Sequence, residues 1–405
     1  MNSIVEPKLL KGFRDFNAPQ VWQRQYLMGK IVAVFERFGF EPLETPAIEY
    51  LETFENSIGE DEKLFFRFKD AGDREVALRY DQTVPTCRYV ALNINNLVLP
   101  YKRYQLQTVW RAEKPQKGRY REFWQCDADI FGVSGYEADA EVIALTIAIY
   151  QELGFADFIV KINDRSLFKN IPYPVIAAID KLEKIGKEGV LTEIVKKGFS
   201  IEEGKDFLEQ VKKVKPNQTL KDIFAYLNSL GIDSKYYTFA PEIARSFSYS
   251  TGAIWEVVIP GFNSGSVLGG ERFDNLVGRF VNREIPGVGF GLGFDRTLEA
   301  MAQFDLLPKM IVKTKVLVTV FGQEYLASSL KTVAMLRRNN INAEIYSGKE
   351  VKLDKQLKYA NNKQIPYCVI IGPEEVKLDK VVLKNMQTRT QQTASPKDLI
   401  KLLKS

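Results

Sequence analysis

The sequence predicts an α+β body followed by a smaller α/β domain. Three observations carry that prediction. Tyr101 to Lys114 and Arg119 to Gly132 read as strand arms around a turn composition, Pro115-Gln116-Lys117-Gly118, and so form an antiparallel pair. Leu167 to Tyr237 has few strand signals and many Lys and Glu in helical patterns. From Thr314 to Ser405, strand and helix patterns alternate, which gives a parallel-type α/β unit. A chain of 405 residues has room for two to four domains at roughly 100–200 residues each.

The elements follow in order. Gln20 to Phe38 is an amphipathic helix, with Val21, Tyr26, Val32, Val34 and Phe38 among its apolar positions. Gly39 ends it. Glu41-Pro42-Leu43-Glu44-Thr45-Pro46 is extended, because residues before proline avoid the α region. Leu78-Arg79-Tyr80-Asp81-Gln82-Thr83-Val84-Pro85 leads a strand into a helix, where Asp81 and Thr83 could serve simply as caps.

The hairpin is the most informative segment. Side chains on a strand alternate faces. Arg103, Gln105, Gln107, Arg111 and Glu113 share one face of the first arm, with Val109 as the exception. Arg121, Gln125, Asp127 and Asp129 share a face of the second, with Phe123 as the exception. Leu106, Trp110, Trp124, Cys126 and Ile130 lie opposite and read as core. The pair therefore presents a face of Arg, Gln and carboxylates. A solvated face with cross-strand ion pairs is one reading. A binding site is the favoured one, since Lys114, Lys117 and Arg119 add cations beside it.

The helical insertion runs from about residue 167 to 237, with helices at Val175 to Ile185 and Ile201 to Val214. Arg245 precedes a strand at Thr251 to Ile259, where a lone Arg would ordinarily be surface. Gly287, Gly289, Gly291 and Gly293 alternate along a strand, so one face is bare backbone. Such glycines mark close approach of a ligand or of another backbone, and a flat purine would fit there. Asp295 and Arg296 then open a helix ending near Phe304. The order is wrong for a dinucleotide fold, and no GxxxxGK[ST] run occurs. A linker at 305–313 leads to the last domain, 314–405. Its expected strands are Lys315 to Phe321, Ala343 to Ser347, Tyr367 to Ile371 and Lys380 to Asn385. Its expected helices are Tyr325 to Asn339, Asp354 to Lys363 and one opened by Ser395-Pro396.

Composition narrows the chemistry. The chain contains 0 histidines, which excludes a Ser-His-Asp relay, an HExxH zinc site and an imidazole base. Cys87, Cys126 and Cys368 form no CxxC pair, so a thiolate zinc site is not expected. Sparse cysteines suit a reducing, cytoplasmic setting. Met1 to Pro7 lacks the pattern of a signal peptide, and no apolar run is long enough to span a membrane. The net charge is +5, yet residues 314–405 carry 16 Lys/Arg against 8 Asp/Glu. That basic end suits a polyanionic partner, with a solvated lysine-rich surface as the alternative.

These pieces resemble class II aminoacyl-tRNA synthetases, specifically the histidyl-tRNA synthetase family, in order and over nearly the whole chain. Phe40 to Ile48 resembles motif 1, VWRAEKPQKGRYREFWQCDADIFG motif 2, and GVGFGLGFDR motif 3. LRYDQTVP resembles the amino-acid-binding run. ARSFSYSTGAIWE and GGERFDNLVG resemble the two histidine-specific signatures. The resemblance implies an antiparallel catalytic sheet flanked by helices in residues 1–304, a homodimer through motif 1, and an anticodon-binding domain at 314–405. It implies ATP and Mg²⁺, L-histidine and tRNA(His) as the reaction's components. Arg111 would bind the α-phosphate with Arg245 across from it, Glu113 would read the adenine amino group, and Arg296 would hold the γ-phosphate. Asp81, Gln82, Thr83 and Gln125 would form the amino-acid end of the site, and Asp129 would face the imidazole. Tyr249 and Ser250 belong to the first signature. Gln116, Lys117 and Arg119 would approach the tRNA acceptor end, and the insertion would clasp the acceptor arm. No metal ligands are assigned.

The sequence departs from the family at two places. The usual Arg-Gly-Leu-Asp-Tyr-Tyr is Arg245-Ser246-Phe247-Ser248-Tyr249-Ser250, and the tyrosine of the second signature is Phe273. Two hydroxyl contacts to the substrate are changed or lost, and water can replace one. Two other readings stand beside this one: a synthetase-like regulatory subunit of histidine biosynthesis, and a class II synthetase for another amino acid.

Overall fold

The computed structural model describes residues 4–55, 65–115, 120–244, 249–308, 312–348 and 352–404. The chain divides into two compact units, Met1–Leu307 and Pro308–Ser405.

In the first unit, α1 (Ala18–Arg37) opens on a capping box. The Asn17 side chain accepts from the Gln20 N–H, and the Gln20 side chain accepts from the Asn17 N–H. Its buried stripe is Leu27, Ile31, Val34 and Phe35, while Val21, expected inside, is exposed. Gly39, at φ +75°, turns the chain. β1 (Glu41–Pro42) follows, then β2 (Ile48–Tyr50), β3 (Arg67–Lys69) and β4 (Glu75–Leu78). The last three form a small antiparallel sheet in the order β2-β4-β3. After α2 (Thr83–Asn93) come the expected hairpin arms, β5 (Tyr101–Trp110) and β6 (Glu122–Phe131). The sequence reading did not single out α3 (Tyr136–Glu152). It is apolar nearly all round, and such a helix is buried.

β7 (Ile159–Asp164) precedes the insertion helices α4 (Tyr173–Ile179), α5 (Leu182–Lys196), α6 (Ile201–Lys213) and α7 (Gln218–Ser229). The sequence treats this stretch as one insertion, but the packing divides it. Val175, Ile176, Val190, Ile194, Leu208 and Val211 of α4 to α6 form their own core. Leu220, Ile223 and Leu227 of α7 join the main core instead. β8 (Tyr237–Phe239), β9 (Ala253–Val258), β10 (Leu268–Arg272), β11 (Gly287–Gly293) and α8 (Phe294–Gln303) complete the unit.

Among the described residues, eight strands build the large sheet in the order β1-β5-β6-β11-β10-β9-β7-β8. Every neighbouring pair from β5 to β7 is antiparallel, while the outer pairs, β1–β5 and β7–β8, are parallel. One face carries Cys126, Ile130, Trp255, Phe290 and Leu292 into a core with α1 and α3. On the other side, Phe131 and Phe273 join Phe54, Ala77, Tyr80, Val84 and Val90 in a second core. α2 and the small sheet therefore cover part of the polar hairpin face.

The second unit holds β12 (Val316–Val318), α9 (Leu326–Arg338), β13 (Ala343–Ile345), α10 (Leu353–Asn362), β14 (Tyr367–Ile370), α11 (Pro373–Leu378), β15 (Val381–Asn385), β16 (Gln391–Ala394) and α12 (Pro396–Lys404). Its strand order is β13-β12-β14-β15-β16. A largely parallel sheet was expected. The sheet is mixed, since β15 runs antiparallel to both β14 and β16. β16 escaped the sequence reading because Gln391, Gln392 and Thr393 are polar and exposed, leaving no apolar alternation. Ser395 caps α12 as expected, its hydroxyl accepting from the Asp398 N–H at 3.2 Å. No helix among the described residues is long and apolar enough to cross a membrane.

Candidate active site

The charged hairpin face is buried rather than solvated. The register sets Arg103 opposite Asp129, Gln105 opposite Asp127, and Gln107 opposite Gln125. Arg103, Gln105, Asp127 and Asp129 are each at most 1% exposed. Polar groups at that depth need partners. Arg103 pairs with Asp129 through Nη2, and its Nη1 donates to Gln105 Oε1 at 3.2 Å. Gln105 Nε2 donates to Thr45 Oγ1 at 2.8 Å. Arg79 donates to the Thr45 and Thr108 carbonyls at 2.7 Å each and to Gln107 Oε1 at 2.6 Å. The segment after β1, the end of β4 and the hairpin are thereby locked into one layer.

Above this layer opens a cleft of about 620 Å³. It brings together Asp81, Thr83, Arg111, Glu113, Gln125, Asp129, Tyr249 and Arg296, all expected from the sequence. Asp81 does two things: its Oδ1 accepts from the Val84 N–H at 3.3 Å, capping α2, and it also lines the cleft. Gln82 is corrected. It is fully buried and does not line the cleft; its Nε2 donates to the Gln107 and Gln125 carbonyls at 3.0 and 2.9 Å. Ser250 is likewise set behind the wall, where its hydroxyl donates to Glu271. Arg245, Gln116, Lys117 and Arg119 lie outside the described residues.

The glycines of β11 serve a different neighbour than expected. A Cβ on Gly289 would lie 1.8 Å from Asp129 Oδ1, and one on Gly291 would lie 2.8 Å from Gln125 Nε2. The bare face is needed first by side chains of β6, which lie across it. Only the remaining surface is left for a ligand. Gln125 Nε2 in turn donates to both Asp127 oxygens, at 2.8 and 2.9 Å.

Two cations border the cleft. The Arg111 guanidinium sits 4.4 Å from the Tyr80 ring centre and 5.1 Å from that of Phe123, a cation–π cradle. Arg296 Nη1 donates to the Ser266 carbonyl at 2.9 Å. Tyr120, Glu256, Glu271 and Asp295 also line the wall, although the sequence reading assigned none of them a site role. Asp295 is gripped by Arg14 at 2.9 Å and Arg24 at 2.6 Å, and the Arg14 guanidinium lies 3.2 Å from the centre of the Tyr120 ring. Pairing between distant parts of the chain brings Tyr120 and Asp295 into the wall.

Burial dominates the titration of the inner carboxylates. It pushes Asp81 up to about 6, against the Val84 N–H and Arg111. It pushes Asp129 up to about 6 and Asp127 up to about 8, each opposed by Arg103. The cleft thus has one end suited to phosphates and another suited to a cationic group. Reactions needing an imidazole base are excluded, while charge neutralisation and positioning remain open.

A family model described as Histidyl-tRNA synthetase matches residues 12–185 and 183–297. A second, described as Anticodon binding domain, matches residues 315–405. A histidine–tRNA ligase of Cytophaga hutchinsonii is 37% identical, over 95% of this chain and 96% of that protein. One of Helicobacter pylori is 36% identical, over 96% of each. The crystal structure of histidyl-tRNA synthetase from Nostoc sp. PCC 7120 superposes with a TM-score of 0.83 at 28% identity, covering 99% of both chains. With both its cleft-bearing body and its terminal domain matched, the chain belongs to the histidyl-tRNA synthetase family.

Proposed function

We propose that this cleft activates L-histidine with ATP, and that the protein then passes the histidyl group to tRNA(His). One observation carries the reading: Arg111 and Arg296 stand in the same cleft as Asp81, Gln125 and Asp129. Phosphates and a cationic amino acid can therefore meet there.

In the first step, a histidine carboxylate oxygen bonds to the α-phosphorus of ATP. The bond from that phosphorus to the bridging oxygen breaks, and pyrophosphate leaves with the electron pair. The nucleophile is already ionised at neutral pH, so no base is required. Arg111 neutralises charge at the α-phosphate, Arg296 holds the γ-phosphate, and Glu113 reads the adenine amino group. Asp81, Thr83 and Gln125 hold the α-ammonium, and Asp129 accepts from the imidazole. Arg245 is the second cation assigned to the α-phosphate from the sequence. In the second step, a ribose hydroxyl of the tRNA terminus attacks the carbonyl and AMP leaves. The phosphate of the adenylate takes the proton. Positioning and charge neutralisation suffice for both steps.

Mg²⁺ belongs with the nucleotide. Among the described residues, no group of three or more metal-ligating side chains is assembled. Mg²⁺ held chiefly by phosphates, with one or two carboxylates, fits that donor set, and Glu256 supplies a carboxylate in the cleft wall. There it would offset phosphate charge.

The terminal unit matching an anticodon-binding domain, together with Arg111, Glu113 and Arg296 in the cleft, favours the ligase over a regulatory subunit. We assign the anticodon stem to residues 314–405 and the acceptor end to the segment holding Gln116, Lys117 and Arg119, in a cytoplasmic homodimer. Tyr50 and Phe68, exposed in one cross-strand row of the small sheet beside motif 1, support that interface. The test is pyrophosphate exchange with each of the twenty amino acids. Exchange with histidine alone is expected, and exchange with none would sink the ligase reading.

A further inference from the structure

Glu271 belongs to the GGERFDNLVG run, where the resemblance assigns this carboxylate no individual role. It is 5% exposed and lines the cleft from β10. The sheet register places it exactly one strand beyond Gly289 and two beyond Asp129. Arg103, Asp129, Gly289 and Glu271 form one cross-strand row. Residues directly opposite one another in a sheet project to the same face. Two strand spacings put the Asp129 and Glu271 Cα atoms about 9.6 Å apart. That is wide enough for a five-membered ring with a hydrogen bond on each side. Gly289, with no side chain, lets the Asp129 carboxylate reach across it toward Glu271 at the cleft wall.

The neighbours of Glu271 fix it in place. The Ser250 hydroxyl, itself buried, donates to its Oε2. Phe273 closes the cleft beside it, its ring 6.3 Å from that of Tyr249. Neither Ser250 nor Phe273 brings a phenol to this end of the site. Among the described residues, Asp81 and Arg165 feel the charge of Glu271.

Resting on the proposed histidine activation, we propose that Glu271 is a specificity-determining residue that takes the imidazole N–H which Asp129 does not. The ring sits between the Asp129 carboxylate, which lies across Gly289, and the Glu271 carboxylate, and Ser250 orients the second of these. An imidazole donating from both nitrogens is the imidazolium form, and ionised carboxylates only accept. A side chain with one N–H or none leaves one of the two buried carboxylates a donor short, and sites of that kind reject such analogues strongly.

The test measures pyrophosphate exchange by the full-length protein with L-histidine and with its two ring-N-methylated isomers. The wild type should use histidine and neither isomer. Glu271→Gln keeps the size of the side chain and its Ser250 contact but loses the charge. It should raise the histidine KM about tenfold or more and leave the ATP KM within about twofold. Glu271→Ala should gain exchange with one methylated isomer and not the other. An unchanged histidine KM in Glu271→Gln, or a parallel rise in the ATP KM, overturns the assignment. If Glu271→Gln unfolds, Ser250→Ala gives the same comparison, with a severalfold rise in histidine KM expected. Absence of exchange in the wild type would count against the activity itself. Calorimetric binding of histidine to wild type and Glu271→Gln then decides the contact separately.

Discussion

Gly289→Ala should damage both the stability of the body and its hold on histidine. Gly289 is buried in β11, directly opposite Asp129 on one side and Glu271 on the other. A methyl group there meets Asp129 Oδ1 at 1.8 Å and the Ala128 carbonyl oxygen at 2.5 Å. The carboxylate can rotate aside, but the carbonyl belongs to the neighbouring strand and cannot move alone. Overpacking of this kind costs about 1–3 kcal/mol. Rotating Asp129 also loosens its pairing with Arg103, and losing a buried pair outright costs about 3–5 kcal/mol. A partial loss added to the steric cost gives about 2–5 kcal/mol. Urea unfolding followed by tryptophan fluorescence measures it, with the histidine KM from pyrophosphate exchange as a second readout. The KM should rise more than tenfold, since the methyl displaces the Asp129 carboxylate that would hold the ring. An unchanged unfolding midpoint with a histidine KM within about twofold of wild type would refute the register and the slot together.

Gly29→Ala should do the opposite. Gly29 lies within α1, a Cβ there meets nothing within 4 Å, and a gain of about 0.5–1 kcal/mol in urea unfolding is expected; a loss would show that the helix face is not open. Asp127→Asn should change the pH dependence of stability. The native value of about 8 lies above the ordinary 3.8, so the folded state keeps a proton that the unfolded chain has released. That contribution is full below the unfolded value and is lost as pH rises through about 8. Stability of the variant relative to wild type should therefore climb between pH 5 and 8, and a flat difference would contradict the burial. A chain ending at residue 313 should keep histidine-dependent exchange and lose most of its tRNA affinity, because the two units have separate cores; loss of exchange in a folded fragment would count against that division.

Much of the hairpin was legible because strand alternation is a local rule. Arg103, Gln105, Asp127 and Asp129 were placed on one face from spacing alone, and the register confirms the pairing. What spacing could not give is depth. Whether a polar face meets water depends on what packs over it, and here α2 and the small sheet arrive from elsewhere in the chain. The same limit hid Glu271 and Asp295. Glu271 sits in the GGERFDNLVG run, but its neighbours Gly289 and Asp129 come from other strands. Asp295 was read as opening a helix, which it does, but its grip by Arg14 and Arg24 spans nearly the whole body. Gln82 shows the reverse case. Its position within the LRYDQTVP run suggested substrate, while the geometry turns its amide onto two backbone carbonyls.

The absence of histidine decides what can titrate near neutral pH. In most proteins, imidazoles dominate that range and mask weaker contributors. Here that source is missing. The cysteines do not fill the gap, because burial holds Cys87 and Cys126 well above their ordinary value and Cys368 at about 12. Carboxylates raised by burial move into it instead: Asp81, Asp129 and Asp139 at about 6, and Asp127 at about 8. Asp139 is tied to Arg272 through bonds of 2.7 to 3.1 Å, away from the cleft wall. The other three cluster around Arg103 beneath the amino-acid end of the site. Proton exchange by this chain between pH 5 and 8 therefore reports chiefly on that layer. A cationic substrate brought beside Asp81 and Asp129 favours their ionised forms, which drives their protons off. The same carboxylates that cost stability in the empty cleft are thus the ones that the substrate's positive charge would relieve.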